Sequence, residues 1–118
     1  MKWLLAFFPL PALAATVNIS WTPPTQFTSG TAFPSGTAIT YNVYGAQCTT
    51  CDSTCTPTLL QSADRYASAV LSNVSPGHYC YAITATVNGV ESVQSPLTSA
   101  TISSQPNPVT NVQTSVSP

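Results

Sequence analysis

Four cysteines are the residues of this chain whose type and spacing most invite covalent chemistry. Cys48, Cys51 and Cys55 form a C-x2-C-x3-C run, and Cys80 stands apart. Oxidation in pairs gives two disulfides; binding of zinc by the loop thiols with Cys80 or His78 is the competing use. A redox C-x-x-C site needs a helix N-terminus to lower the thiol pKa, and no helical pattern follows Cys51. His78 is the only histidine. A Ser-His-Asp relay would need a buried carboxylate and a nucleophile turn, and the surroundings of Asp52 and Asp64 offer neither. Asp52, Asp64 and Glu91 lie on three separate segments, which speaks against a carboxylate pair or a calcium cage. These residues predict a protein that is not an enzyme and holds no cofactor.

The choice between sulfur bridges and zinc turns on compartment, and the first residues bear on that. Met1-Lys2 opens the chain, Trp3 to Leu10 is apolar, and Ala12-Leu13-Ala14 has the small-x-small form of a leader-peptidase site. The apolar run reaches only about a dozen residues against the roughly 20 of a spanning helix, and Pro9 and Pro11 interrupt it. Residues 1–14 therefore read as a cleaved signal peptide, and the mature chain from Ala15 is expected outside the membrane. An exported chain meets an oxidising compartment, which favours two disulfides.

Charge narrows the function further. The 118 residues hold two Lys or Arg and three Asp or Glu, and loss of the leader leaves Arg65 as the sole basic side chain. No basic face can form against phosphates, so nucleic acid is excluded as a partner. The surface has to be built from Ser, Thr, Asn and Gln, with little charge to resist self-association.

The elements that must position these residues are strands. Short apolar runs are broken by Pro, Gly, Ser and Asn, and no helical period persists. Val17, Ile19 and Trp21 alternate with polar neighbours until Pro23-Pro24; Tyr41, Val43 and Gly45 do so again after a long loop. Leu59-Leu60 gives a short strand at most, Ala69, Leu71 and Val74 a further one, and Ser75-Pro76-Gly77 a turn. Tyr79, Tyr81, Ile83 and Ala85 share one face of the longest strand, which closes at Val87-Asn88-Gly89-Val90. Leu97 to Ile102 is the last. The expected core is Trp21, Tyr41, Val43, Tyr79, Tyr81 and Ile83 in one all-β sandwich over residues 15–103.

Four segments carry a resemblance in order along the chain. Trp21-Thr22-Pro23-Pro24, Tyr41-Asn42-Val43-Tyr44, Asn73-Val74-Ser75-Pro76-Gly77-His78-Tyr79 and Ala85 to Ser92 resemble successive landmarks of a fibronectin type III domain, from about Thr16 to Ser103. The resemblance implies an immunoglobulin-like sandwich used for adhesion or spacing, and no chemistry. It also implies that Tyr79 is a corner tyrosine, its ring in the core and its hydroxyl on a backbone group of the preceding turn.

Such a domain opens with a strand A, which here has no residues between the leader and the strand at Val17. The tail, residues 104–118, reads Pro106-Asn107-Pro108-Val109-Thr110-Asn111-Val112-Gln113-Thr114-Ser115-Val116 and is similar to that missing opening. Val112, Thr114 and Val116 fall on one face, with Val109 ahead of them. The tail can enter the next copy of the protein as a donor strand, fold back into its own domain, or serve as a linker. Return demands crossing roughly 20–25 Å along a seven-residue strand, while the connector Ser103 to Pro108 spans at most about 20 Å. Exchange is favoured over fold-back, with the linker reading left open; a contact of that kind is head-to-tail and does not close on itself, so it builds a filament.

By the strand order the resemblance implies, the strand after Tyr41 ends beside the start of the strand after Gly77. Alternation turns Cys80 and Cys48 away from the core there, which pairs Cys48 with Cys80 and leaves Cys51 with Cys55; Cys51–Cys80 is the next pairing. Tyr44, Phe27 and Phe33 are candidates for a contact surface, and Asn18 and Asn73 begin glycosylation sequons. The expected function is an extracellular assembly subunit whose partner is itself; the alternative is a monomeric module that binds an extracellular protein or glycan.

Overall fold

The structure, a computed structural model, describes residues 14–104 and 108–117. The leader expected over residues 1–14 lies, except for Ala14, outside the described residues. Those described form an all-β fold of two sheets and no helix. The strands are β1 (Ala15–Ser20), β2 (Thr40–Gln47), β3 (Thr58–Asp64), β4 (Ser68–Val74), β5 (Gly77–Val87), β6 (Val90–Glu91) and β7 (Thr98–Ile102). β1 pairs with β4 alone, antiparallel. The second sheet runs β3-β2-β5, with β6 and β7 both antiparallel to β5. β3 is longer than the Leu59-Leu60 doublet promised, because Thr58, Gln61 and Asp64 also pair with β2.

Period-2 alternation sets the faces. Along β2, Tyr41, Val43 and Gly45 are buried while Asn42, Tyr44 and Ala46 are half-covered. On β5 the rings of Tyr79 and Tyr81 stack on one side at 6.2 Å. Gly45 pairs with Tyr81 across β2 and β5. A Cβ there would stand 2.7 Å from Leu60 Cδ1 and 2.7 Å from Tyr81 Cδ1, so only glycine lets those side chains close over the strand. The β5–β6 turn uses Asn88 at φ 54° and Gly89 at φ 78°, the left-handed pair that a two-residue hairpin requires.

The two sheets meet where Trp21 sets its ring edge against Tyr41 at 5.2 Å. Of the six expected core residues, Tyr41, Val43 and Tyr81 are buried. Trp21, Tyr79 and Ile83 are only half-buried. Val17 and Ile19 share that condition, β1 alternating half-buried and exposed throughout. The core is complete around β2 and β5 and thin beside β1.

Tyr79 donates its hydroxyl to the carbonyl of Ser75 at 2.8 Å, holding the turn between β4 and β5 as expected for that ring. His78 lies within β5 and is not a turn residue; its Nδ1 sits 2.7 Å from the Cys48 carbonyl.

Candidate functional site

The thin side of the core opens as a groove between β1 and β7. Its larger part, about 750 Å³, is walled by Val17, Ile19 and Trp21 on one side and by Ile83, Ala85 and Ala100 on the other. A second part of about 500 Å³ continues along Ala15, Thr16 and Val17 opposite Ala100, Thr101 and Ile102. Val17, Asn18 and Ala100 line both, so the groove follows the length of β1. Among the described residues the outer edge of β1 has no strand partner. A free edge above a half-buried apolar row is the geometry that accepts an added strand.

The groove also carries polar side chains, among them Asn18, Ser20, Thr84 and Ser95. Trp21 Nε1 is buried without a hydrogen-bond partner. Burial pushes the Tyr41 phenol up, and the Trp21 indole beside it pulls it partly back, although their geometry falls short of a hydrogen bond. Burial likewise raises Tyr81, with Tyr79 adding to it. None of these groups is poised to move a proton at neutral pH.

The expected donor residues stand apart. Val109, Val112 and Val116 are 81%, 74% and 92% exposed, and no strand forms among the described residues of the tail. The fold-back of the tail into its own domain is thus not observed: among the described residues no tail strand lies on β1. Asn111 adopts φ 56°, so a bend separates Val109 from the run Val112 to Val116.

The cysteines depart from the expected pairing. Cys48 is bonded to Cys55 and Cys51 to Cys80; the Cys48–Cys80 and Cys51–Cys55 bridges do not form. Register is the cause. Cys80 lies opposite Ala46, and Gln47 opposite Tyr79, so Cys48 falls past the end of the ladder, where its N–H donates to the His78 carbonyl at 3.1 Å. The loop then turns back and brings Cys51 over Cys80. Cys80 is on the face opposite Tyr79 and Tyr81, as alternation predicts, but it is fully buried beneath that loop. The sulfurs of Cys48, Cys55 and Cys80 lie within 4.8 Å of one another; all four being oxidised, none is a thiolate for zinc.

One cluster has no counterpart in the sequence reading. Glu91 Oε2 accepts hydrogen bonds from Asn42 Nδ2 at 3.0 Å, Tyr44 Oη at 2.5 Å and Thr84 Oγ1 at 2.5 Å. These donors hold the carboxyl down to about 2, Thr84 contributing most. Asn42, Tyr44 and Thr84 are outward positions of two paired strands beside a glutamate that follows an Asn-Gly turn. That spacing is the signal by which the cluster could have been found. Tyr44 is thereby tied into the sheet and is no free contact residue. Phe27 and Phe33 also differ from expectation, packing edge-on against each other at 4.6 Å across a small loop hairpin. Asn18 and Asn73 are both exposed.

No family model matches the chain, and no curated protein matches it. No helix among the described residues is long and apolar enough to cross a membrane. The two disulfides suit an oxidising compartment.

Proposed function

We propose that this chain is an exported structural subunit, without enzymatic activity, that assembles head-to-tail by receiving the C-terminal segment of another copy beside β1. What supports the reading is the groove itself. A groove runs the length of β1, whose outer edge is unpaired among the described residues and whose inward row of Val17, Ile19 and, just beyond the strand, Trp21 is only half-covered. The same chain carries a run of matching character, Val112, Thr114 and Val116, with both valines exposed. Burying two valines and a threonine against that row contributes roughly 25 cal/mol per Å² of apolar surface removed from water.

The strand order supports a type III domain as the parent architecture. β1 and β4 stand for its B and E, and β7-β5-β2-β3 for its G, F, C and C′. Among the described residues none stands for strand A, and the groove beside β1 is where that reading would put it. Export is supported by the leader-like start and by the disulfides.

Size-exclusion chromatography with light scattering tests the reading on the chain from Ala15, with and without Val109 to Pro118. Higher-mass species that vanish on deletion are expected. A monomer at every concentration tried for the intact chain would reject assembly and favour a solitary binding module.

A further inference from the structure

The groove has two ends, and they are not equivalent. Ala15 and Thr16 at the start of β1 face Thr101 and Ile102 at the finish of β7. Trp21 and Pro24, just past the finish of β1, share the other end with Pro96, just ahead of β7, and with Thr98 at its start. β1 and β7 therefore flank the groove in opposite directions, and the tail leaves from the Ala15 end.

Two routes follow, and they give opposite polarities. A tail that reverses at Ile102 enters its own groove at Ala15 and runs in the direction of β1. A tail that continues along the course of β7 leaves its subunit and meets the next one at Trp21, running against β1. The sequence places Pro106 and Pro108 in the connector, and proline disfavours turn and helical backbone at the position before it, which weighs against a reversal. Val112 stands ten residues beyond Ile102, a reach of up to about 33 Å. That is ample for stepping from one subunit to the start of the next groove.

Resting on the reading above, we infer that the donor strand runs antiparallel to β1 of the receiving copy, with Val112 over Trp21, Thr114 over Ile19 and Val116 over Val17. Three residues on one face at a spacing of two meet three half-buried residues at the same spacing. The bend at Asn111 fixes where the straight segment begins. Val112 is then the first inward residue, and Val109 remains outside the groove. In this register Gln113 lies opposite Ser20 and Ser115 opposite Asn18. The reversed polarity would put Gln113 opposite Asn18 and Ser115 opposite Ser20.

Paired cysteine substitutions at these outward positions separate the cases, because directly opposed residues bring their Cα atoms to roughly 4.5–5.5 Å, within disulfide range. All four positions are exposed, and the far-UV circular dichroism of each variant reports its folding. The full chain carrying Ser20→Cys with Gln113→Cys, or Asn18→Cys with Ser115→Cys, is expected to give a ladder of linked subunits on non-reducing gels. Asn18→Cys with Gln113→Cys and Ser20→Cys with Ser115→Cys are expected to give at least tenfold less. Crosslinking confined to the second two pairs overturns the polarity, within monomers marking a fold-back and between subunits a parallel donor. Assembled protein that crosslinks in none of the four overturns the register while leaving assembly standing. A chain that is monomeric by light scattering and uncrosslinked rejects the underlying reading itself.

Discussion

The Tyr44 hydroxyl donates to Glu91 Oε2 at 2.5 Å, joining the middle of β2 to the short strand that follows the Asn88-Gly89 turn. The link raises the Tyr44 phenol, and Thr84, Tyr44 and Asn42 together lower Glu91 from 4.5 to about 2. Glu91 binds its proton less readily when folded than when unfolded. Its contribution to stability is therefore complete above about pH 4.5 and is lost as pH falls toward 2. Asp52, held down by Thr54, acts in the same direction. Melting temperature followed from pH 6 to about 2 should fall less for Glu91→Gln than for the parent. Parallel curves for the two proteins would refute the role given to Glu91.

The two disulfides should differ in worth. Cys51–Cys80 spans 29 residues and Cys48–Cys55 spans seven. In the chain-entropy treatment they contribute about 3.6 and about 2.4 kcal/mol. Urea unfolding of the double serine variants should rank them in that order. The gap should follow the entropic difference, since each bridge joins a buried cysteine, Cys80 or Cys55, to a half-buried one, Cys51 or Cys48. Equal losses would show that loop length does not govern.

Gly45→Ala places a methyl group 2.7 Å from Leu60 Cδ1 and Tyr81 Cδ1. Leu60 can swing away, being 46% exposed, but Tyr81 is buried. A loss of roughly 1–3 kcal/mol is expected, as for other overpacked sites, read from the urea midpoint. An unchanged midpoint would mean the Tyr81 ring relocates freely.

Val112→Asp tests the donor without touching the sandwich. Val112 is 74% exposed in the single subunit, so the substitution should alter its stability by no more than about 0.5 kcal/mol. Assembly should nevertheless be lost, because a carboxylate cannot be desolvated over Trp21. Trp21 is the only tryptophan after Trp3. Its emission should shift to shorter wavelength when the parent assembles and stay in place for Val112→Asp. Assembly of Val112→Asp at parental levels would refute the docking.

The strands were legible because their apolar residues alternate: Val17-Ile19-Trp21 and Tyr41-Val43-Gly45 declare an inner face with no knowledge of their partners. What was not legible depends on register and on the path of loops. The sulfur pairing required knowing that Cys80 meets Ala46 and not Cys48, a shift of two residues that neither strand's own pattern reveals. The half-covered state of Trp21 and Ile83 was hidden for a related reason. Apolar alternation says which way a side chain points, not whether anything lies above it. The Glu91 cluster joins β2, β5 and β6 through outward polar residues, positions where pattern reading expects only solvent.

Arg65 lies exposed in the link between β3 and β4, and no other lysine or arginine follows Lys2. A trypsin-like protease meeting the chain from Ala15 onward thus finds a single place to cut. The break would separate β1, β2 and β3 from β4, β5, β6 and β7. Cys51 and Cys80 lie on opposite sides of it, so the two fragments would stay covalently tethered and come apart only under reduction. A nicked chain would travel as one species until a thiol was added.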